Sequence, residues 1–125
     1  MEDLISVLEQ ENEEYLILLS LSMEKTPVII SADLEKLAKI TEDEQVVVDK
    51  INSLDKKRQE SMKDIANVIN RDVNNLKLAD LIEMLSQRPA EQKKLAEVYD
   101  KLTDTLSQMK RINEQNRELI ESSLE

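Results

Sequence analysis

The sequence has 125 residues, a length that suits one domain, and a formal net charge of −10 at pH 7. It contains no glycine, cysteine, histidine, tryptophan or phenylalanine, and Tyr15 and Tyr99 are its two aromatic residues. This composition excludes disulfides and imidazole or thiol catalysis, and it argues against glycine-turn hairpins and binding to nucleic-acid phosphates.

The first predicted helix spans residues 2–25, where apolar residues recur at steps of three and four and break at Glu11 and Asn12. Its second half, YLILLSLSM at residues 15–23, carries no charge. A helix that is apolar nearly all round is buried on more than one side, so this stretch indicates either a bundle centre or a partner patch. Thr26-Pro27 should end the helix, because the residue before proline avoids the α conformation.

The second predicted helix is long and covers residues 33–70. Apolar residues continue through it at steps of three and four without a glycine or proline, and Ser31 or Asp33 is the expected N-cap. Such a helix would be a rod of roughly 57 Å. Its charged middle is typical of a coiled-coil strand with a solvated outer face.

Two shorter signals follow before the last helix. Asn74 and Asn75 are predicted to provide the left-handed stop that glycine usually supplies, and a short helix is expected at residues 78–86. Pro89 suits the first turn of a final helix over residues 89–123. The short connections favour antiparallel neighbours. We therefore expect an all-α single domain over residues 1–125, an elongated antiparallel bundle of three long helices plus one short helix.

Catalytic chemistry is not indicated. No residue is assigned a catalytic, cofactor-binding or metal-binding role, because a di-iron bundle needs Glu-x-x-His motifs and the carboxylate pairs read as solvated surface acids. No run approaches the roughly 20 apolar residues of a membrane span, and the acidic start does not resemble a signal peptide. The expectation is a cytoplasmic interaction protein, not an enzyme, that acts through helical surfaces.

Two asparagines interrupt the apolar stripe of the last helix. Asn113 and Asn116 fall where apolar residues are expected. Three explanations remain open: a buried amide that fixes helix register, a solvated helix end without a role, or a recognition face whose polar groups bond a partner helix.

The segment that carries these asparagines, NEQNRELIESSL at residues 113–124, resembles the closing helix of FlgN-type flagellar export chaperones, with their N-x-x-N-R-x-L pattern and Ser-Leu pair. ISADLEKL at residues 30–37 and LKLADLIEML at residues 76–85 resemble further parts of the family pattern. Lys77 and Asp80 depart from it, since the family tends to have a capping Ser or Thr and a Glu there.

The resemblance implies a helical, cytoplasmic chaperone in bacterial flagellum biogenesis and type III protein export. Such a chaperone holds the amphipathic helical termini of hook–filament junction proteins, which are flagellar hook-associated proteins, before export. The flagellar export gate is a second partner that the resemblance suggests. No cofactor, nucleic acid or membrane insertion is implied.

We predict that the last helix provides the client surface. Apolar contact and polar bonds that set register would come from nine residues: Leu106, Met109, Ile112, Asn113, Asn116, Arg117, Leu119, Ile120 and Leu124. The alternative is a structural coiled-coil or helical-bundle interaction module that self-associates through its C-terminal helix. A regulatory bundle that binds a small ligand or metal is a third class, which no residue pattern supports.

Overall fold

A computed structural model describes residues 1–123, and every regular element within them is helical. In chain order these elements are α1 (Glu2–Ser31), α2 (Leu34–Val68), a 3-10 turn (Val73–Asn75), α3 (Leu78–Met84) and α4 (Pro89–Ser123). The predicted all-α architecture of three long helices and one short helix is confirmed. Pro89 opens α4 as expected, because its missing N–H is not needed in the first turn.

The central helix is α1, which packs against α2 and against α4. Ser22 of α1 lies against Glu44 of α2. Nearer the start of α1, Glu11 lies against Arg58 of α2, so these two helices are antiparallel. Within residues 1–123, no Cα atom of α2 lies within 8 Å of a Cα atom of α4.

The last helix runs parallel to the first. Asn12 of α1 meets Thr105 of α4, and Ser22 of α1 meets Asn116 further along both helices. The three long helices therefore run up, down and up, and α1 packs against both α2 and α4. Below, "proximal" means the end of the molecule at the start of α1, and "distal" means the opposite end.

Two apolar clusters form the core. The proximal cluster joins all three long helices to the segment after α2, and its buried members are Leu4, Ile5, Leu8, Met62, Ala66, Leu76, Leu81, Leu95, Val98 and Leu102. The distal cluster is smaller, and its buried members are Leu18, Leu19, Val47, Ile51 and Met109. Each leucine so buried contributes roughly 1.5–3 kcal/mol relative to an exposed one, so most of the apolar stabilisation lies at the proximal end.

The end of α1 differs from the prediction. The helix does not stop at residue 25 but continues through Pro27 to Ser31. There Ala32 adopts a left-handed conformation (φ 57°, ψ 34°), and the backbone N–H groups of Ala32 and Asp33 donate to the carbonyls of Ile29 and Val28. This is a Schellman motif in which alanine takes the position that glycine usually fills.

The start and end of α2 follow from local side-chain chemistry. Asp33 is the N-cap, and its carboxylate accepts a hydrogen bond of 3.1 Å from the Lys36 backbone N–H. At the other end the left-handed stop is Asn70 (φ 56°), not the predicted Asn74 and Asn75. Those two asparagines lie in the 3-10 turn, because the chain has already left α2 four residues earlier.

The short helix α3 ends at Met84, two residues before the predicted end, and Asp80 accepts a hydrogen bond of 3.1 Å from the Lys77 backbone N–H at its start. The predicted departure from the family pattern at these two positions is thus accommodated by a carboxylate in the first turn. In the part of the chain that the structure describes, no helix is long and apolar enough to cross a bilayer.

Candidate functional site

The distal half of α4 contains the residues that the sequence singled out, and the structure divides them. Met109 is buried in the distal cluster, and Ile112 is half-buried against it. These two side chains hold α4 onto α1 and so lie on its inner side. Leu124 lies outside the described residues.

Asn116 is buried between α4 and α1, with 5% of its surface exposed. Its Nδ2 donates a hydrogen bond of 2.7 Å to the backbone carbonyl of Ser22. Its Oδ1 accepts a hydrogen bond of 2.6 Å from the Thr26 hydroxyl. Both ends of the amide are therefore satisfied by α1, and this arrangement fixes how α4 sits along α1 because a slip would leave buried polar groups unpaired.

Asn113 has a different environment. It is exposed and borders a cleft of about 280 Å³. The other lining residues come from α1 and α2: Leu18, Ser22, Thr41, Glu44, Gln45 and Val48. Three residues of helix separate Asn113 from Asn116 by about 60° around the axis, since each residue turns the chain by about 100°. One amide therefore faces α1, and the other faces the gap toward α2.

An apolar line accompanies Asn113 on the open side of α4. Leu106 is 41% exposed and Ile120 is 39% exposed. With Asn113 they are spaced seven residues apart, so the three side chains share one face of the helix. Leu119, another predicted contact, is half-buried on a neighbouring face.

Arg117 is exposed, and its guanidinium contacts Glu114 and lies 3.5 Å from Glu121. The hydrogen bond to Glu114 and the charges of both carboxylates raise the pKa of Arg117 above its ordinary value. The acid partners of this arginine in the free chain are thus its own helical neighbours. Such exposed pairs contribute little to stability, so Arg117 is able to exchange them for a partner's carboxylate.

A buried polar layer separates the two clusters, and the sequence showed it only as a break in the stripe of α1. Glu11 is 3% exposed, and its Oε1 lies 3.5 Å from Arg58 Nε. On the other flank, the Thr105 hydroxyl donates a hydrogen bond of 2.9 Å to Asn12 Oδ1. Burial raises the pKa of the Glu11 carboxyl, against the lowering effect of Arg58, and the charge of Asp55 raises it further.

A second polar group closes the distal end of the α1–α2 contact. Glu44 accepts hydrogen bonds from the Ser22 hydroxyl at 3.1 Å and from Lys25 Nζ at 2.9 Å. Ser22 thus meets Glu44 through its side chain and Asn116 through its carbonyl. The small size of this fully buried serine lets both flanking helices approach α1 at one level, a role that residue type alone did not reveal.

The uncharged stretch of α1 at residues 15–23 is divided between core and surface. Leu18, Leu19 and Ser22 are buried, whereas Leu16, Ile17 and Met23 are between 47% and 54% exposed. The bundle-centre interpretation therefore describes the buried side chains, and the partner patch stays a prediction for the exposed ones. Across residues 1–123, no group of three or more acidic side chains is placed to hold a metal ion.

A comparison with protein-family models found one family, described as "FlgN: FlgN protein", whose model matches residues 1–125. The match covers the entire sequence given, including the asparagine-containing segment on which the resemblance was based. Comparisons with curated proteins and with solved structures found no match.

Proposed function

This chain belongs to the FlgN family of flagellar export chaperones, and on that premise we propose that it binds the amphipathic helical termini of hook–filament junction proteins and keeps them competent for export. Chaperones of this family bind flagellar hook-associated proteins. We place the activity in the cytoplasm, where clients wait before export, and we propose the export gate as a second partner without assigning residues to it.

The observation that supports this proposal is the open face of distal α4. Leu106 and Ile120 keep about two-fifths of their surface exposed while Asn113 lies between them. Apolar side chains at heptad spacing on an open helix face suit contact with the apolar face of a partner helix. We assign client contact to these three residues and to the flanking Arg117. Leu119 lies about 120° around α4 from Asn113 and in register with Ile112, so it belongs to another face of the helix.

Met109 and Asn116 have a different part in this proposal. Both lie inside the free chain, where Met109 packs in the distal cluster and Asn116 bonds Ser22 and Thr26. They act on the client indirectly, by fixing the position of the helix that presents Leu106. Ile112, half-buried beside Met109, shares this supporting role.

The experiment is calorimetric titration of the purified chain with the hook–filament junction protein from the same genome, followed by size exclusion of the mixture. We expect a 1:1 complex with the wild type and a loss of affinity of roughly tenfold or more for Leu106→Asp, because the new carboxylate would be buried without a partner. Gln115→Asp is the matched control, since it adds the same charge to an exposed position of α4.

Two results would contradict the proposal at different levels. If the wild type binds no junction protein, the client class is wrong. If the wild type binds and Leu106→Asp binds equally well, with both variants folded by circular dichroism, the assignment of the surface is wrong.

Self-association through the C-terminal helix is the competing function, and the exposed Leu106 is the observation that favours it. Sedimentation velocity of the wild type at micromolar concentration separates the two. A chaperone that waits for its client is expected to be monomeric, whereas a concentration-dependent dimer that is lost in Leu106→Asp would support the coiled-coil module.

A further inference from the structure

A gap runs between α2 and α4 along the distal half of the molecule. Both helices pack against α1, but within the described residues no Cα atom of one lies within 8 Å of the other. Residues of α1, α2 and α4 line one cleft, so α2 and α4 flank the same side of α1, as at three corners of a four-helix arrangement with α1 at the middle corner. The fourth corner is the position that contacts both α2 and α4 and lies diagonally opposite α1.

The chain fills the proximal part of this corner itself, with residues 73–85. Leu76 packs beside Met62 of α2 in the proximal cluster. On the other side, Gln92 of α4 donates a hydrogen bond of 2.8 Å to the carbonyl of Ile82. A short amphipathic segment thus spans the two flanking helices and covers the proximal cluster, which shows the kind of occupant that the corner accepts.

The same corner continues into the open distal cleft. Residues at heptad spacing share a helix face, and the line on α2 that begins at the filled end consists of Met62, Asp55, Val48, Thr41 and Leu34. The corresponding line on α4 consists of Gln92, Tyr99, Leu106, Asn113 and Ile120. Val48 and Thr41 border the distal cleft together with Asn113, so both lines lead from the covered part to the uncovered part.

The open part has a definite length. On α2 it extends from Asp55 to Thr41, and on α4 from Leu106 to Ile120, which is 14 residue steps in each case. The contacts that α1 makes to α2 and to α4 at residues 11–12 and at Ser22 place these two stretches at the same level. This corresponds to about 21 Å of helix, or about four turns. The two walls therefore match one another in length, as they would if one helix lay between them.

The charges of the open part are unequal on its two sides. Glu44 is the charged residue that lines the cleft, and Lys25 neutralises it at 2.9 Å. One helical turn on either side of Asn113 lie the exposed cations Lys110 and Arg117, of which Arg117 is already paired with Glu114 and Glu121. The residue beside the cleft on α2 is the uncharged Gln45. The fitting partner is therefore apolar on its inner face and carries an acidic side chain that reaches Lys110.

We propose that this open fourth corner, between residues 41–55 of α2 and residues 106–120 of α4, binds one amphipathic helix of the client and that the client helix completes a four-helix bundle. An acidic side chain of this helix pairs with Lys110, and its apolar face covers the distal cluster. The inference rests on the proposed chaperone function and adds a second wall, α2, to the client site.

The experiment uses the full chain and two synthetic peptides, one for each terminal amphipathic helix of the junction protein, with Kd measured by calorimetry. Thr41→Arg places a bulky cation in the cleft from an exposed position on α2, and Gln45→Arg is a second exposed variant of the same wall. We expect each to weaken Kd by roughly tenfold or more, because the guanidinium blocks or is buried by the peptide. Val46→Arg is the control, since Val46 is 56% exposed on another face of α2 and should bind within about twofold of wild type.

The charge arm uses Lys110→Glu, which should weaken the peptide several-fold at low salt and less at high salt. If both α2 variants bind the peptide with the wild-type Kd, the fourth-corner site is wrong. If Leu106→Asp nevertheless binds the peptide more weakly, the proposed client surface on α4 still holds. Loss of binding in Met23→Arg but not in Thr41→Arg would also contradict the fourth-corner site. The client would then bind the exposed apolar line of α1, which consists of Leu16, Met23 and Ile30. No binding by the wild-type chain to any junction protein refutes the proposed function itself.

Discussion

Asn116 and Asn113 are two identical side chains three residues apart, one buried with both ends bonded and one exposed. We predict that Asn116→Ala lowers the free energy of unfolding by about 1–3 kcal/mol, because the part-buried Thr26 hydroxyl loses its acceptor and the Ser22 carbonyl loses its second donor. Asn113→Ala should change it by less than about 0.5 kcal/mol. Urea unfolding of both variants under one set of conditions provides the measurement, and equal losses would contradict the assigned environments.

The sequence could locate this pair but could not distinguish its members. The apolar stripe of α4 placed both amides near the inner face, within an arc that the period of the helix does not resolve. Which of them is buried depends on the rotation of α4 about its axis, and this is set by partners as distant in sequence as Ser22 and Thr26. Such partners leave no trace in a local pattern.

Glu11 should make stability depend on pH in a defined direction. Burial raises the pKa of its carboxyl in the folded chain above the ordinary value of 4.5, so the folded chain holds a proton that the unfolded chain has already lost. Stability contributed by this group is therefore present at low pH and falls as pH rises through the interval above 4.5. Glu11→Gln keeps the shape of the side chain and removes its titration.

The test for Glu11 is the difference in free energy of unfolding between wild type and Glu11→Gln. Urea unfolding measures this difference at a series of pH values from about 4 to about 7. We expect wild type to lose stability relative to the variant as pH rises. A difference that stays constant, or that rises with pH, would show that Arg58, 3.5 Å away, outweighs burial at this position.

At the scale of elements, the C-terminal ends of α1 and α2 show which residues adopt the left-handed conformation in a chain without glycine. Ala32 and Asn70 take the left-handed conformations at the ends of α1 and α2. A Cβ atom in that region costs roughly 1–2 kcal/mol, whereas glycine costs about 0.5–1 kcal/mol in extra chain entropy. We predict that Ala32→Gly raises the free energy of unfolding by about 0.5–1 kcal/mol, measured by urea unfolding.

Ala38→Gly is the matched control for Ala32→Gly. Ala38 is an exposed residue inside α2, where the same exchange should lower the free energy of unfolding by about 0.5–1 kcal/mol. Opposite signs for the two variants are the expected result. A loss at both positions would mean that Ala32 is not held in the left-handed region in solution.

Element type followed from periodicity, and element ends were the weaker part of the sequence prediction. The number and order of the four helices were predicted correctly, because apolar spacing over many turns is a strong signal. The predicted end of α1 at residue 25 was wrong, because tertiary contacts outweigh the tendency of the residue before Pro27 to leave the α conformation. Beyond residue 25, Ile29 is buried and Thr26 bonds Asn116, and these contacts offset the missing donor of the proline.

At the scale of the whole molecule, packing is uneven from end to end, because the segment between α2 and α4 packs against one end of the three long helices. Residues 73–85 cover the core at the proximal end, whereas the distal cluster is made by α1, α2 and α4 alone. The stripes in the sequence could not reveal this, because they identify faces and not neighbours. They also could not show that α2 and α4 remain apart along their whole length.

Hydrogen exchange should report this unevenness within a single helix. In α4, the proximal part buries Leu95, Val98 and Leu102, while residues 106–120 bury Met109 and Asn116. Because local opening is easier where fewer apolar contacts are lost, amides at residues 106–120 should exchange faster than those at residues 95–105 by roughly tenfold or more. Mass spectrometry of overlapping peptides measures both parts in one sample, so solvent and temperature are matched by design. Uniform protection along α4 would show that the distal half is as firmly held as the proximal half, and the chain would then have no loosely packed end to offer a client helix.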